Sequence, residues 1–167
     1  MATILMYSLQ TGKAIQLSRQ NMLLQVERAE KKNFARHEAI DFGSELKKHN
    51  TVLVVVFDSA NIPTQGSPAL AAYVVFVHSK PGNVVTLHKI CVLVGFRRQG
   101  VARKILASQM ERLKKQGSSK MNLWVAEQNV PARQLYERFG FEEVNKVQDY
   151  YAPGGTGIHM ALGLESS

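Results

Sequence analysis

The chain has a single cysteine, Cys91, among its 167 residues, so it cannot form an internal disulfide bond. That scarcity is typical of a reducing compartment, and we expect a cytoplasmic protein, with the nucleus as the alternative. Cys91 lies in an apolar, β-branched stretch, which favours a small buried hydrophobe over a reactive thiol.

Long apolar runs are also lacking: none approaches the roughly 20 residues that a membrane-spanning helix requires. The opening residues, MATILMYSLQTGKAIQL, have no charged region followed by a long apolar one, so they predict no secretory signal. We therefore expect no membrane association.

A basic stripe with interleaved aromatic residues is missing, although the net charge is +8, from 21 basic and 13 acidic residues. Such a charge suits nucleic acid, the ribosome or an anionic cofactor. Because the lysines and arginines are scattered, the sequence argues against nucleic-acid binding. An anionic cofactor, or a contact with the ribosome or a partner subunit, remains as an explanation of the charge.

Strand and helix patterns fill the chain, without a repeat, a low-complexity tract or a clear linker. Apolar spacing predicts a helix after Gly100 and another in the N-terminal region, capped by Ser18, and a short one interrupted near Gly43. β-Branched runs predict strands, and NIPTQGSP predicts a loop. The predicted order is a strand, two helices, three strands, a helix, a strand, a helix and two strands. This order indicates one mixed α/β domain over residues 1–167, with an antiparallel meander at its centre.

A basic glycine turn, GFRRQGVARKIL, joins a predicted strand that ends at Val94 to the helix after Gly100. The first amides of a helix have no intrahelical acceptor and lie at the positive end of its dipole, so they suit a phosphate. A glycine at such a place is also ordinary turn chemistry. This stretch alone therefore leaves phosphate binding open.

Two segments together resemble the GNAT superfamily of acyl-coenzyme A N-acyltransferases. RRQGVA matches the family signature [Q/R]-x-x-G-x-[G/A] at Arg97, Gly100 and Ala102. Some 20 residues later, LWVAEQNVPARQLYERFGF (123–141) fits the pattern L-x-V-x-x-x-N-x-x-A-x-x-L-Y-x-x-x-G-F. The resemblance implies an α/β fold with a mixed, mostly antiparallel, twisted sheet of seven strands and about four helices.

Acetyl-coenzyme A (acetyl-CoA) is the co-substrate that the resemblance implies, and no metal is expected. Backbone amides from Arg98 to Arg103 would hold its pyrophosphate, with Gly100 giving the phosphate oxygens close approach to the backbone. Charged side chains would add to this site, although each could equally be a solvated surface charge. The implied cofactor-binding residues are Ile90, Cys91 and Val92 through their main chain, and Arg97, Arg98, Gln99, Gly100, Val101, Ala102, Arg103, Asn129 and Arg133.

The implied chemistry is direct attack of an amine on the thioester in a ternary complex. The resemblance makes Tyr136 the acid that protonates the leaving thiolate, whereas a tyrosine on an amphipathic helix can also simply pack its ring. The expected base is open: similar bacterial ribosomal-protein acetyltransferases carry glutamate where this chain has Trp124. The candidates are His88, Glu127, His159 and a water relay. Asn129 would cap the helix that follows it, contact the cofactor, or do both.

The C-terminal stretch VQDYYAPGGTGIHMAL resembles that of protein N-terminal acetyltransferases, in which a Tyr-Tyr pair helps to wall the peptide groove. It implies that Tyr150 and Tyr151 bind the acceptor, which we expect to be the α-amine of a protein or peptide. Thr156 stands where that family has an acidic residue, so alternatives stay open. They are a small amine (a polyamine, arylalkylamine or amino sugar) and a catalytically silent acyl-CoA-binding subunit.

Overall fold

The computed structural model describes residues 1–60 and 66–165. Within them the elements follow in the predicted order, and most of the predicted loop NIPTQGSP lies outside the described residues. The strands are β1 (Thr3–Ser8), β2 (Thr51–Asp58), β3 (Ala69–Ser79), β4 (Val84–Val92), β5 (Lys120–Ala126), β6 (Glu142–Val147) and β7 (Gly157–Gly163). The helices are α1 (Arg19–Asn33), α2 (Phe42–Glu45), α3 (Val101–Lys115) and α4 (Val130–Arg138).

The strands of the described chain form one seven-stranded sheet in the order β1-β2-β3-β4-β5-β7-β6. β1 pairs with β2 and β4 with β5 in parallel, while β5 and β6 each pair with β7 antiparallel. The sheet is therefore mixed, which confirms the predicted fold class. The β4–β5 pairing runs from Val84–Lys120 to Leu87–Leu123, and both strands continue beyond it.

Two compact units make up the chain: unit 1 is Met1–Phe76 with Lys89–Ala102, and unit 2 is Val77–His88 with Arg103–Ser167. In unit 1, Met22, Val26 and Ala29 are spaced to share one face of α1, and all three are buried. They join a core that also contains Phe42, Leu46, Leu53, Val55, Phe57, Leu70, Tyr73, Val75 and Cys91. The predicted cap is confirmed, because the Ser18 side chain accepts a hydrogen bond from the Asn21 amide at 3.2 Å.

In unit 2, β5 alternates buried and half-buried residues, as a strand with one covered face does. Its buried residues are Met121, Leu123 and Val125. On α4, Tyr136 is buried and packs edge-on against Phe141, with ring centroids 5.8 Å apart. This packing holds the C-terminal part of α4 in place.

Two local predictions differ from the structure. β4 ends at Val92 rather than Val94, and Val94–Phe96 form a 3₁₀ turn before the basic loop. Gly43 does not interrupt α2 but lies within it, because the Asp41 side chain caps the helix by accepting from the Gly43 amide at 3.0 Å.

In the described ranges, no helix has both the length and the apolar character needed to cross a bilayer. The single-domain assignment remains a prediction.

Candidate active site

The basic loop of unit 1 is held at its start by Arg97. The guanidinium donates to the Val92 carbonyl at 2.8 Å and to the Asn33 side-chain oxygen at 3.2 Å. The Gln99 side chain donates to the Gly95 carbonyl at 3.1 Å. Arg97 therefore acts as a clamp that joins the end of β4 to α1, which is a role that the sequence pattern did not reveal.

The rest of the loop adopts an unusual backbone conformation. Arg98 and Gly100 have φ angles of 63° and 75°, in the left-handed region. A Cβ at Gly100 would meet nothing within 4 Å, so conformation, and not crowding within the protein, explains the glycine. α3 begins immediately after it, at Val101. Helix-start amides that adjoin open space, beside the exposed side chain of Arg98, are suitable for binding a phosphate group.

Ile90, Cys91 and Val92 form the last part of β4 and lie beyond its last pair with β5. Cys91 is buried, as predicted, and burial raises the pKa of its thiol. A buried thiol of raised pKa is a poor nucleophile. The side chain of Cys91 thus serves the core, and only its main chain could meet a ligand.

In unit 2, the start and the middle of α4 carry two predicted site residues. Asn129 caps the helix by accepting from the Ala132 amide at 3.3 Å, so the capping half of its prediction is confirmed. Tyr136 is 6% exposed, and burial raises the pKa of its phenol to about 12, with a smaller contribution from Tyr151. Among the described residues, no hydrogen bond occupies the Tyr136 hydroxyl. The group is therefore a neutral phenol near pH 7 and is available as a donor.

The base candidates are placed differently from one another. The Glu127 carboxylate lies 2.8 Å from the Lys146 ammonium, and this hydrogen bond holds its pKa below the usual range. Arg133, a predicted cofactor residue, donates to the Glu127 carbonyl at 3.1 Å. His88, another base candidate, is exposed on β4. Arg103, a predicted cofactor residue, is exposed on α3. The ion pair weakens Glu127 as a proton acceptor.

Trp124 is the centre of an aromatic stack. Its ring centroid lies 4.1 Å from that of Tyr150 with an interplanar angle of 10°, and 5.0 Å from that of His159 with an angle of 18°. Burial, with a smaller contribution from Lys120, lowers the pKa of His159, which favours its neutral form. The sequence indicated only that Trp124 could not be the base, and gave no sign of this stack.

The structure brings two predicted residues of unit 2 together. The phenol of Tyr151 is close enough to that of Tyr136 to raise its pKa electrostatically. Tyr151 also packs edge-on against Tyr150, at 4.8 Å between centroids and 81°. The predicted acid and the predicted acceptor-binding turn are therefore neighbours.

A buried polar cluster in unit 1, centred on Glu30, was missed by the sequence analysis. The Glu30 carboxylate accepts hydrogen bonds from the Tyr73 hydroxyl, the Lys89 ammonium and the Ile40 amide. The only hint was an acidic residue at helical spacing from Met22 and Val26. Within the described residues, no three histidine, cysteine or carboxylate side chains are grouped as a metal ion would need.

A model of the acetyltransferase (GNAT) family matches residues 20–141. An N-alpha-acetyltransferase of Sulfurisphaera tokodaii is 36% identical over 86 residues, which cover 51% of this chain and 50% of that protein. The chain thus spans about half the length of this curated relative.

Solved structures show the same fold. The NatC complex bound to Gag peptide and CoA matches with a TM-score of 0.74 at 16% identity, over 90% of this chain and 96% of that chain. Spermidine/spermine N-acetyltransferase SpeG from Vibrio cholerae, in complex with manganese ions, matches with a TM-score of 0.69 at 16% identity, over 89% of each chain. One of these structures is bound to a peptide and the other is named for spermidine and spermine, so the fold alone does not define the acceptor. Since the family model covers well over half of the residues, the chain belongs to the GNAT family of acetyltransferases.

Proposed function

We propose that this protein transfers the acetyl group of acetyl-CoA to the N-terminal α-amine of a protein or peptide. The proposal depends on one observation about Tyr136. Its phenol is buried and neutral at physiological pH, and its hydroxyl is free of other partners in the described chain. A binding subunit without catalysis would have no use for such a donor.

In the proposed reaction, the amine nitrogen attacks the thioester carbonyl while both substrates are bound. The new N–C bond forms, the C–S bond breaks, and Tyr136 donates its proton to the departing thiolate. The proton lost by the amine returns to the Tyr136 phenolate through water. The products are the acetylated amine and the free CoA thiol, so protons and electrons balance.

The first proton must leave the ammonium form of the acceptor, because a typical amine is charged near pH 7. Glu127 is a poor acceptor for it, since Lys146 holds the pKa of this carboxyl low. His159 is stacked on Trp124, and His88 is exposed on β4. We therefore propose that a water relay, or His88, takes this proton.

The basic loop is the proposed pyrophosphate site. Arg97 holds its start, the left-handed Gly100 leaves open space, and the first amides of α3 follow directly. Arg98 and Arg103 are exposed and supply positive charge for the phosphates. These features fit the cofactor that the family uses.

Two observations favour an α-amine over a small diffusible amine. The relative that shares 36% of 86 residues is an N-alpha-acetyltransferase. In this chain, the phenol of Tyr151 in the predicted acceptor-binding turn acts electrostatically on that of Tyr136 and raises its pKa. An acceptor that contacts this turn would thus be held near the acid. A ribosomal or partner-subunit contact remains part of the proposal as an explanation of the positive charge.

The test is release of free thiol from acetyl-CoA by the purified chain. The acceptors are lysine-free peptides with a free N-terminal alanine, serine or methionine, the same peptides with a blocked N-terminus, and spermidine. We expect release with free peptides and none with blocked ones, and mass spectrometry should find the acetyl group on the α-amine. Cys91 is the only protein thiol and is buried, so the background should be low.

Turnover of spermidine alone would replace the peptide assignment with a small-amine activity. A rise in melting temperature with acetyl-CoA, without thiol release for any acceptor, would indicate a silent acyl-CoA-binding subunit.

A further inference from the structure

Trp124 occupies a position where a strand pair fixes its surroundings. It lies directly opposite His159 in the antiparallel pairing of β5 with β7, and the two rings are stacked. Tyr150, from the turn 148–156 that precedes β7, is stacked on the same indole at 4.1 Å. The Tyr150 ring of the turn thereby packs on a side chain of β5.

Gly157, the first residue of β7, leaves room for this attachment. A Cβ at Gly157 would lie 2.7 Å from two atoms of the Tyr150 ring, which is too close for any real contact. The Gly157 backbone is not in the left-handed region, so the space for Tyr150 explains the glycine. Tyr150 therefore packs directly on main chain as well as on Trp124.

From Tyr150 a ring contact leads to Tyr151, which acts electrostatically on the candidate acid. Tyr151 packs edge-on against Tyr150 at 4.8 Å, and its phenol acts electrostatically on Tyr136. Tyr150 and Tyr151 are 43% and 37% exposed, so each still presents surface to an incoming molecule. The turn is thus fixed on one side and accessible on the other.

We propose that Trp124 and Gly157 are positioning residues, which hold Tyr150, and through it Tyr151, so that the turn binds a peptide acceptor beside Tyr136. This inference rests on the proposed function. It gives Trp124 a role at the position where similar enzymes carry a glutamate: the indole supports the acceptor-binding turn instead of taking a proton. Preorganised contacts of this kind act on acceptor binding and alignment, while the cofactor site is left alone.

Gly157→Ala is the decisive variant, because the added methyl group must displace the Tyr150 ring. Gly163→Ala is its matched control: Gly163 ends the same strand, and a Cβ there meets nothing within 4 Å. With a lysine-free peptide that has a free N-terminal alanine, we expect Gly157→Ala to raise KM for the peptide about tenfold, the loss expected for an aromatic contact. KM for acetyl-CoA should stay at the wild-type value, and Gly163→Ala should match wild type throughout.

Trp124 is the only tryptophan of the chain, so its fluorescence reports the stack directly. Loss of the Tyr150 ring should expose the indole to water and shift its emission to longer wavelength in Gly157→Ala, but not in Gly163→Ala. In a second series, Trp124→Phe, which keeps a stacking ring, should retain most of the peptide affinity that Trp124→Ala loses. Gly157→Ala combined with Trp124→Ala should cost no more than either change alone, because both act through Tyr150.

Unchanged emission in a folded Gly157→Ala variant would overturn the proposal, because Tyr150 would then not depend on Gly157. A shifted emission with unchanged KM for the peptide would overturn it as well, since the turn would then have no part in acceptor binding. If Gly157→Ala does not fold, equal peptide kinetics for Trp124→Ala and Trp124→Phe would be decisive against it. Failure of the wild-type chain to release thiol with every acceptor would instead refute the proposed function, and this inference with it.

Discussion

Removing the charge of Lys89 should destabilise unit 1 severely. The Lys89 side chain is 12% exposed and that of Glu30 only 2%, and the two form an ion pair. The Lys89 ammonium also donates to the Glu38 carbonyl at 2.9 Å and lies 3.6 Å from the centroid of the Phe34 ring. In Lys89→Met, the apolar stem is kept while Glu30 becomes a buried carboxylate without a counter-charge.

The expected cost is about 3–5 kcal/mol, the usual penalty for removing one partner of a buried ion pair. That is a large share of a typical unfolding free energy of roughly 5–15 kcal/mol. The melting temperature should fall by about 6–20 °C, since each kcal/mol is worth roughly 2–4 °C in a chain of this size. Lys48→Met is the control: the Lys48 side chain is 57% exposed beside Glu45, so its loss should cost under about 1 kcal/mol.

Urea unfolding followed by circular dichroism measures both variants. A second change, Glu30→Gln in the Lys89→Met background, should recover much of the loss, because the neutral amide oxygen can still accept from the Ile40 amide while its NH2 group donates to the Tyr73 hydroxyl. If Lys89→Met costs no more than Lys48→Met, Glu30 is not an ionised, desolvated group, and the ion pair with Lys89 does not stabilise unit 1.

Three further predictions concern the site. Gly100→Ala and Gly117→Ala introduce the same backbone strain, because the φ angles are 75° and 81° and nothing lies within 4 Å of the new Cβ at either position. Equal losses of stability are therefore expected, but only Gly100→Ala should weaken acetyl-CoA binding in a calorimetric titration. Tyr136→Phe should lower kcat by roughly 10²-fold or more with little change in the Kd of acetyl-CoA, and wild-type turnover would remove Tyr136 from the mechanism. The pKa of His159 is lowered on folding, so the unfolded chain takes up a proton more readily as the pH falls below the ordinary value of 6.5. Stability should therefore decline from pH 7 to pH 5, and His159→Gln should make that decline shallower; an unchanged slope in urea unfolding would contradict this.

The order of strands and helices could be predicted because it depends on local pattern. The six middle residues of β2 (52–57) are all apolar, and seven of its eight residues are buried. The caps at Ser18 and Asn129 were predictable for the same reason, since each side chain accepts from the amide three residues further along the chain. Pattern was less informative at Val94, where an apolar residue belongs to a 3₁₀ turn and is exposed.

The site could be predicted only where its residues follow one another in the chain. The basic loop from Arg97 to Ala102 was identified, although the clamp from Arg97 to Asn33 spans 64 residues and was not. Glu30 meets Lys89 across 59 residues, so its burial could not be read from its place on an amphipathic helix. Trp124 was recognised as unable to act as a base, but its support of Tyr150 depends on strand pairing that a single sequence does not display.

The distribution of two rare residues has a practical consequence. Cys91, the only cysteine, lies in unit 1, and Trp124, the only tryptophan, lies in unit 2. A buried thiol reacts with a labelling reagent only when its surroundings open, while indole emission follows the unfolding of its own neighbourhood. The unmodified chain thus contains one natural reporter for each unit. Coincident urea transitions of thiol labelling and fluorescence would show that the units unfold cooperatively, and separate transitions would show that each has its own stability.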